Sequence, residues 1–411
     1  MTIKKIKTTK WLKKPHALMP HALMPHALMV LLVLFCVACS THGPSDSAVG
    51  YPFGVPVDSH RLLAESPLMA DFDVAESLVA GPGGVIPQQQ IMALTPEIRA
   101  FLAGLAGASA EEKWSVLVGM FRNGMFSVDY DTLTTLPAAE TFARREGNCL
   151  SVTILLAAMA RELGLKGTFN EVDVPNTRTE EGGVLINLRH INLVLELSTG
   201  PQVIDFGVVD FEIAFNRRAL SDQQALAQYF SNVGAERLLA GDYRAAFLNM
   251  REALRLSPGN SDFWVNLGVL YEKQRLPEYA EQAFIQALQL DPLSLVAARN
   301  LERLLAEQGR ESVAAGLTDQ VVRLRSHNPV FAYFAARSAY QEDRFGEARK
   351  LLESAIRRDN ADHRLHFLLG KVAFVQGDFP LSKKHLRHAF ALVDDPQIKR
   401  DYERQLFDLR K

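Results

Sequence analysis

The sequence predicts an α+β domain followed by an all-α solenoid, with an export segment in front of both. A basic and then apolar stretch fills residues 1–38, and a 34-residue period begins at residue 227. Between them, a helical pattern headed by a cysteine is followed by alternating strand patterns. The 411 residues suffice for two or three domains, and the composition, 48% hydrophobic and 22% charged, is typical of globular proteins.

Residues 1–38 have the pattern of a secretory signal peptide. Six lysines precede the apolar run at 27–38, which is too short to span a bilayer and has the length of a signal-peptide core. Three tandem copies of PHALM lie within the segment, and we interpret them as a repeat without a fold of its own. Its removal leaves 39 basic and 47 acidic residues, a net charge of -8, which argues against nucleic acid as a partner.

The segment ends in Cys-Val-Ala-Cys, and Val37 and Ala38 before Cys39 resemble the lipobox of bacterial lipoproteins. The resemblance implies cleavage before Cys39, which then carries lipid and anchors the protein to a membrane of the bacterial cell envelope, facing the periplasm. Ser40, in place of aspartate, permits transfer to the outer membrane. Cys36 stands where leucine is usual, so ordinary cleavage nearby is the alternative.

The stretch from residue 39 to the next cysteine predicts a tether and then packing helices. Residues 39–56 are rich in Gly, Pro and Ser, which suits a flexible, lipidated tether. The expected helices are at 68–79, at 95–106 with Thr95 as cap and Pro96 at the first position, and at 109–122 with a Ser109–Glu112 capping box.

Cys149 heads the most apolar helical pattern in the chain. Gly147 and Asn148 suit a sharp entry into the helix, and Gly164 provides its stop. A cysteine at a helix N-terminus lies at the positive end of the helix dipole, which favours the thiolate. If Cys39 carries lipid, Cys149 has no disulfide partner in the mature chain. We therefore interpret Cys149 as a candidate nucleophile; the alternative is a small apolar residue that fills space.

The chain after this helix predicts antiparallel strands, which makes the domain α+β. The expected elements are a strand at 167–174, an exposed loop at 175–183, one long or two short strands at 184–197, and a strand at 202–209. Ile191, Leu193, Leu195 and Leu197 share one face, which leaves His190, Asn192 and Val194 on the other.

His190 is the one histidine in the sequence between residues 61 and 326, so an imidazole base for Cys149 within this domain has to be His190. The sequences GNCLS, RHINLVLEL and VIDF together resemble the transglutaminase-like core, a papain-like α+β fold of a helix plus antiparallel sheet. The resemblance covers roughly residues 95–215, and the predicted domain is 57–226. It implies a catalytic triad of Cys149, His190 and Asp205 in a cysteine-dependent peptidase, amidase or acyl transferase. That family also contains inactive members.

Strand register decides how well Asp205 fits this role. A two-residue turn at Thr199-Gly200 predicts that Asp205 lies opposite Val194, about four residues or ~13 Å along the strand from His190. A bulge or a longer turn has to close part of that gap. Asp210 is the other candidate, and it falls on the opposite face in the same register.

The 34-residue period after residue 227 resembles the tetratricopeptide repeat. Five repeats are predicted within 227–396, of which 295–328 is degenerate, and 397–411 is predicted to form a capping helix. The resemblance implies a concave surface that binds a peptide or another protein. In the clearest copy, at 261–294, the marker positions are occupied by Trp264, Leu267, Gly268, Tyr271, Ala280, Phe284, Ala287 and Pro292.

The last repeat carries two i,i+3 histidine pairs, His363 with His366 and His385 with His388. We expect them on a solvated face; zinc binding is the minor alternative, since cysteine and acidic ligands are missing in register. No P-loop, dinucleotide or HExxH pattern occurs, so no cofactor is predicted.

Two hypotheses of function follow from the sequence. The first is an envelope-anchored transglutaminase-like enzyme that hydrolyses or transfers the acyl group of a peptide or amide substrate recruited by the repeats. The second is a catalytically inactive scaffold lipoprotein that binds partners through its repeats.

Overall fold

The computed structural model describes residues 54–69, 85–122, 126–172, 178–181, 184–187, 190–204, 217–394, 398–400, 402–403 and 406. The first compact unit holds the described residues between Val57 and Leu290, and the second holds those from Asp291 onward. None of the described helices is long and apolar enough to cross a membrane. The signal segment, Cys39 and most of the helix expected at 68–79 lie outside the described residues.

Short helices open the first unit, and the caps at Thr95 and Ser109 are those that the sequence predicts. Thr95 Oγ1 accepts a hydrogen bond from the N–H of Ile98, and Ser109 and Glu112 form a reciprocal capping box. The elements are α1 (Ser59–Leu63), a 3-10 turn (Pro67–Met69), α2 (Gln88–Ile91), α3 (Pro96–Ala103) and α4 (Ala110–Arg122).

Helix α6, Cys149–Glu162, forms the centre of the first unit. Every residue from Cys149 to Ala160 is buried, because α3, α4, the short helix α5 (Ala138–Arg144) and the sheet pack around it. Gly164 follows the helix with a φ of 75°, which confirms the predicted glycine stop. Two short parallel strands, β1 (Asp129–Tyr130) and β2 (Glu146–Gly147), lead into α6.

The main sheet has four antiparallel strands in the order β7-β6-β3-β8. Both β3 and β6 pack against α6, and Ile191, Leu193 and Leu195 of β6 are at most 2% exposed. A helix plus antiparallel sheet is therefore present, as the α+β prediction requires. The strands are β3 (Gly167–Val172), β6 (His190–Leu197), β7 (Gly200–Ile204) and β8 (Arg217–Leu220).

Part of the loop predicted at 175–183 is a strand. Arg178–Glu181 form β4, which pairs antiparallel with β5 (Val184–Asn187) in a separate two-stranded sheet. The sequence Arg-Thr-Glu-Glu has no apolar alternation, so main-chain pairing makes this strand without the side-chain signal that a prediction uses. The stretch 184–197 forms two strands, which was one of the two predicted arrangements.

The turn before β7 also differs from the prediction. Leu197 pairs with Gly200, so the turn residues are Ser198 and Thr199 rather than Thr199 and Gly200. Gly200 has a φ of 103°, a conformation that favours glycine, and it begins the returning strand. The described pairing ends with Leu193 opposite Ile204, and the next residue, Asp205, lies outside the described residues, as does Asp210.

Helix pairs occupy the chain from Asp222 to Leu392, two in the first unit and three in the second. The first begins five residues before the predicted start, because Ser221 and Gln224 form a capping box there. The first-unit helices are α7 (Asp222–Leu239), α8 (Tyr243–Leu256), α9 (Ser261–Lys273) and α10 (Pro277–Leu290). The second unit has α11 (Leu295–Glu307), α12 (Glu311–Ala314), α13 (Leu317–Ser326), α14 (Pro329–Gln341), α15 (Phe345–Ile356), α16 (His363–Val375) and α17 (Phe379–Leu392).

The third pair is irregular, as its poor match to the repeat pattern predicts. Its second half is split into α12 and α13 at Gly316, which has a φ of 86°. After the last pair, Tyr402 is fully buried against Phe367 and Val393, with Leu406 packed beside them. The described part of the predicted capping segment therefore covers apolar surface of the last repeat.

Candidate functional site

Asn148 closes the N-terminus of α6 directly before Cys149. Its Oδ1 accepts hydrogen bonds from the N–H and the Oγ of Ser151 at 3.0 and 3.1 Å, and its Nδ2 donates to Thr135 Oγ1 at 2.7 Å. Asn148 is 2% exposed, so these bonds are sheltered from water. They define where α6 begins and hold Cys149, itself buried and not in a disulfide, at the first helical position.

Gly147 makes the sharp entry into the helix possible. Its φ is 143°, and a Cβ atom at this position would lie 2.7 Å from Cβ of Ser151, so a larger residue does not fit. Its backbone pairs in parallel with Tyr130. This confirms the interpretation of Gly147 and Asn148 as the turn that delivers Cys149.

The same pairing brings Tyr130 to the thiol. The Tyr130 hydroxyl makes a side-chain hydrogen bond with Cys149, and the pKa of Tyr130 is raised because its hydroxyl is desolvated and faces the thiol. About half of the tyrosine side chain is exposed, 48%. A neutral hydroxyl in this position can donate a hydrogen bond to the sulfur or to an oxygen bound beside it.

Thr153 links the first turn of α6 to the start of β6. Its Oγ1 lies 2.7 Å from the carbonyl oxygen of Cys149 and 3.0 Å from that of Ile191. His190, the first residue of β6, pairs through its backbone with Val172. The strand that carries the predicted base therefore begins next to the turn that carries the thiol, whereas the side chain of His190 lies outside the described set.

A buried carboxyl from the first repeat reaches the same network. Glu236 of α7 hydrogen-bonds to Thr135, the residue that accepts from Asn148. Desolvation raises the pKa of Glu236 to about 8, although the bonds to Thr135 and the charge of Arg237 act in the opposite direction. A continuous chain of contacts therefore joins the first repeat helix to the cap of the Cys149 helix.

Sequence reasoning missed Tyr130, Thr135 and Glu236. No sequence motif marks these residues, because their place in the site depends on which residues they contact in space and not on their neighbours in the chain. Tyr130 lies in the two-residue strand β1, Thr135 lies between β1 and α5, and Glu236 lies in a helix assigned to the repeats. The sequence pattern therefore identifies Cys149 but not the side chains around it.

Two of the four histidines of the last repeat, His366 and His385, are buried rather than on a solvated face, contrary to the prediction, whereas His388 is exposed as predicted. His366 and His385 are 4% and 8% exposed, with their Nδ1 atoms 2.8 Å apart, and the ring of His388 packs edge-on against His366. His363 bonds Tyr402 at 2.7 Å. The prediction failed because α16 and α17 turn these positions towards each other. Across the described part of the chain, no group of three or more His, Cys, Asp or Glu is arranged to hold a metal ion.

Several solved structures are similar to part of the chain. MamA from Desulfovibrio magneticus RS-1 is 17% identical, over 42% of this chain and 97% of that one, with a TM-score of 0.24. The pilF protein of Pseudomonas aeruginosa is 15% identical, over 43% of this chain and 80% of that one, with a TM-score of 0.24. YrrB is described as a TPR protein with an unusual peptide-binding site. It is 14% identical, over 42% of this chain and 89% of that one, with a TM-score of 0.23.

A comparison with curated proteins found no match to the chain. Two family models, both described as tetratricopeptide repeat, match residues 237–305 and 333–382. These segments coincide with helix pairs of the first and the second unit, including the clearest sequence repeat at 261–294. The helical array of this chain therefore contains tetratricopeptide repeats.

Proposed function

We propose that the protein is a binding protein of the bacterial cell envelope whose tetratricopeptide repeats hold a segment of another protein. The observation that carries this proposal is the repeat array itself, which two family models match and which occupies the chain from Asp222 to Leu392. Stacked helix pairs of this kind present an extended surface to a partner. The lipobox-like Cys39 would tether this surface to a membrane.

An exposed residue on the first repeat provides a position from which partner binding can be tested. Leu239, at the end of α7, is 37% exposed. It lies seven residues, or two helical turns, after the buried Asn232, and therefore on the same helix face. A partner bound along this face would cover the leucine.

Site-specific crosslinking tests the proposal. A benzoylphenylalanine at position 239 of the full-length protein should form an adduct with one partner in the cells that produce it, and the purified partner should form the same adduct. Phe101, 39% exposed in the first unit but outside the repeats, provides the control position. Adducts absent from position 239, or equal at both positions, would contradict the proposal.

The thiol site supports a second candidate function, cysteine-dependent hydrolysis or acyl transfer. The observation in its favour is the enclosed Cys149 at a helix N-terminus, with a hydroxyl beside it and the strand of His190 starting at the same turn. In this reaction the sulfur forms a thioester with the substrate carbonyl while the amide C–N bond breaks. His190 passes the thiol proton to the leaving amine, and water or an amine then cleaves the thioester. Asp205 would orient the imidazole.

Alkylation kinetics distinguish this candidate from a structural thiol. Under the second candidate function, iodoacetamide modifies Cys149 of the folded protein rapidly near neutral pH, and His190→Ala removes this rapid reaction. His60→Ala, which changes an exposed histidine, should leave the rate unchanged. Equal rates in the wild type and His190→Ala would show that the thiol is structural, and the repeats alone would then carry the function.

A further inference from the structure

The first two repeats share a buried polar face on their first helices. We define this polar face by four residues, Gln228 and Asn232 of α7 and Asp262 and Asn266 of α9. Residues two positions apart on a helix point about 200° apart. Gly234 and Gly268 contact the second helices of their own repeats, since added Cβ atoms there would meet Met250 and Phe284. Asn232 and Asn266 therefore point away from those second helices.

The polar face is covered. Gln228, Asn232, Asp262 and Asn266 are 4%, 7%, 1% and 1% exposed. Oδ1 of Asn232 has no hydrogen-bond partner among the described residues. Buried amides are stable when they bond to a partner, and an unfilled acceptor indicates a place where a donor can be added.

Strand β5, Val184–Asn187, lies against both α7 and α9. In the described structure it pairs with β4 on one edge, in a sheet of two strands. The main-chain N–H and C=O groups of its other edge are of the kind that an asparagine amide can bond, because the amide is both donor and acceptor. The helices of the first two repeats therefore already hold an extended segment of the same chain.

The groove of the first two repeats is the part of their surface that the polar face lines. We propose that β5 is an internal occupant of this groove, and that the partner places its own extended, apolar segment there by displacing β5. The polar face offers amide groups to the main chain of the incoming segment, and Oδ1 of Asn232 is an acceptor that β5 leaves unfilled. The chemistry of the partner follows from the occupant, whose sequence is Val-Leu-Ile-Asn. Asparagine recurs at the same repeat position in the third repeat, as Asn300.

This inference rests on the proposed binding function and can fail separately from it. The probe is a fluorescein-labelled peptide of Val-Leu-Ile-Asn with two glycines on each side, measured by anisotropy against the full-length protein. Glu180 and Leu185 form a non-hydrogen-bonded pair of the hairpin, so the N–H of Leu185 points away from β4, towards the other edge of β5. Leu185→Pro removes this donor and should weaken the hold of the groove on β5. The peptide should bind this variant at least tenfold more tightly than the wild type.

Groove variants locate the binding. Adding Asn232→Ala and Asn266→Ala to Leu185→Pro should abolish the gain, whereas adding Asn300→Ala, a matched asparagine outside the polar face, should preserve it. Circular dichroism checks that each variant keeps its helices. Equal affinity of wild type and Leu185→Pro, or a gain that survives loss of both asparagines, would overturn the inference.

A measurement on the wild type covers the case in which Leu185→Pro does not fold. The amides of β5 should be protected from hydrogen exchange, and saturating peptide should increase their exchange at least tenfold. Unchanged protection would overturn the inference. Position-specific crosslinks from residue 239 would still support the binding function in that case, because they do not depend on which segment occupies the groove.

Discussion

At the scale of single residues, the thiol site depends on one buried amide. Asn148 bonds Ser151 and Thr135 at distances of 2.7–3.1 Å and separates the parallel strands from α6. Its side chain satisfies donors that the first turn of a helix leaves open, and its burial makes each lost bond costly.

Asn148→Ala should lower the free energy of unfolding by about 2–3 kcal/mol, because it removes a helix cap and leaves Thr135 and Ser151 without their buried partner. Ser109→Ala, which removes an exposed cap at the start of α4, should cost about 1 kcal/mol. Urea unfolding of both variants measures the difference. Equal losses would show that burial adds nothing to the cap at Asn148.

Glu236 makes the stability of the first unit fall as the pH rises from about 4.5 to about 8. Its carboxyl has an ordinary pKa of 4.5 and a pKa of about 8 in the folded protein, so the folded state holds a proton that the unfolded chain releases. The stability that the protonated Glu236 contributes to the folded state is full below pH 4.5 and is lost as the pH rises towards 8. Glu236→Gln stays neutral and should be about 2–3 kcal/mol more stable than the wild type at pH 7.

Hydrogen exchange of α7 between pH 5 and pH 8 checks this prediction, after correction for intrinsic exchange rates. The stability of α7 should fall with pH in the wild type and remain level in Glu236→Gln. Glu307→Gln changes an exposed carboxylate of the second unit and serves as the control. The assignment is wrong if Glu236→Gln follows the wild-type pH dependence.

At the scale of elements, glycine sets how closely the helices of a repeat approach. A Cβ atom at Gly268 would lie 2.5 Å from Cε1 of Phe284, deep between α9 and α10. Gly234 and Gly370 show similar contacts with Met250 and Leu386 in their own repeats. The small marker position of the sequence repeat is therefore a packing requirement.

Gly268→Ala should destabilise the first unit by about 1–3 kcal/mol, because Phe284 has to leave its packed position. The matched control is Gly346→Ala in α15, where an added Cβ meets no atom within 4 Å. That change should stabilise its helix by up to about 1 kcal/mol through helix propensity. Thermal unfolding of both variants compares the signs, and a stabilised Gly268→Ala would contradict the packing interpretation.

The contact between α16 and α17 makes the last repeat sensitive to acid. Burial, together with the charges of His366, Lys384 and His388, lowers the pKa of His385 to about 4, and Glu353 acts in the opposite direction. The pKa of His366 is lowered mainly by burial, and Asp362 opposes that effect. Both rings therefore favour the neutral form in the folded protein. The stability that the neutral His385 contributes is full above the ordinary pKa of 6.5 and is lost as the pH falls towards 4, and His366 acts in the same direction.

His385→Gln should remove most of the acid sensitivity of α16 and α17, which we expect to reach about 2–3 kcal/mol in the wild type. Hydrogen exchange of residues 363–392 at pH 7 and pH 5 measures it. His327→Gln, a change at an exposed histidine of the second unit, is the control. A wild type with equal protection at both pH values would refute the prediction.

At the scale of the whole molecule, the first compact unit joins the thiol domain to the first two repeats. Residues near the start of the described chain contact the repeat helices: Tyr271 donates to the carbonyl oxygen of Leu62, and Gln88 donates to Glu252 at 2.7 Å. Arg161 at the end of α6 pairs with Asp222 at 2.7 Å. The compact unit therefore extends to Leu290 and includes the first two repeats.

A fragment of residues 54–290 should unfold in a single cooperative transition, because it keeps these contacts. A fragment that ends at residue 226 loses Glu236, Glu252 and Tyr271 as partners and should aggregate or melt without cooperativity. Calorimetry of the two fragments compares them. Cooperative unfolding of the shorter fragment would show that the thiol domain folds without the repeats.

The sequence by itself determined the elements whose signals are local. Helix caps at Thr95 and Ser109, the entry to the Cys149 helix and the repeat period all depend on residues within a few positions or a fixed spacing of one another. Only the tertiary structure decided which side chains surround Cys149, the strand pairing of Arg178–Glu181, the turn at Ser198-Thr199, and the burial of His366 and His385. These features depend on contacts between segments far apart in the chain, and local spacing carries no information about such contacts.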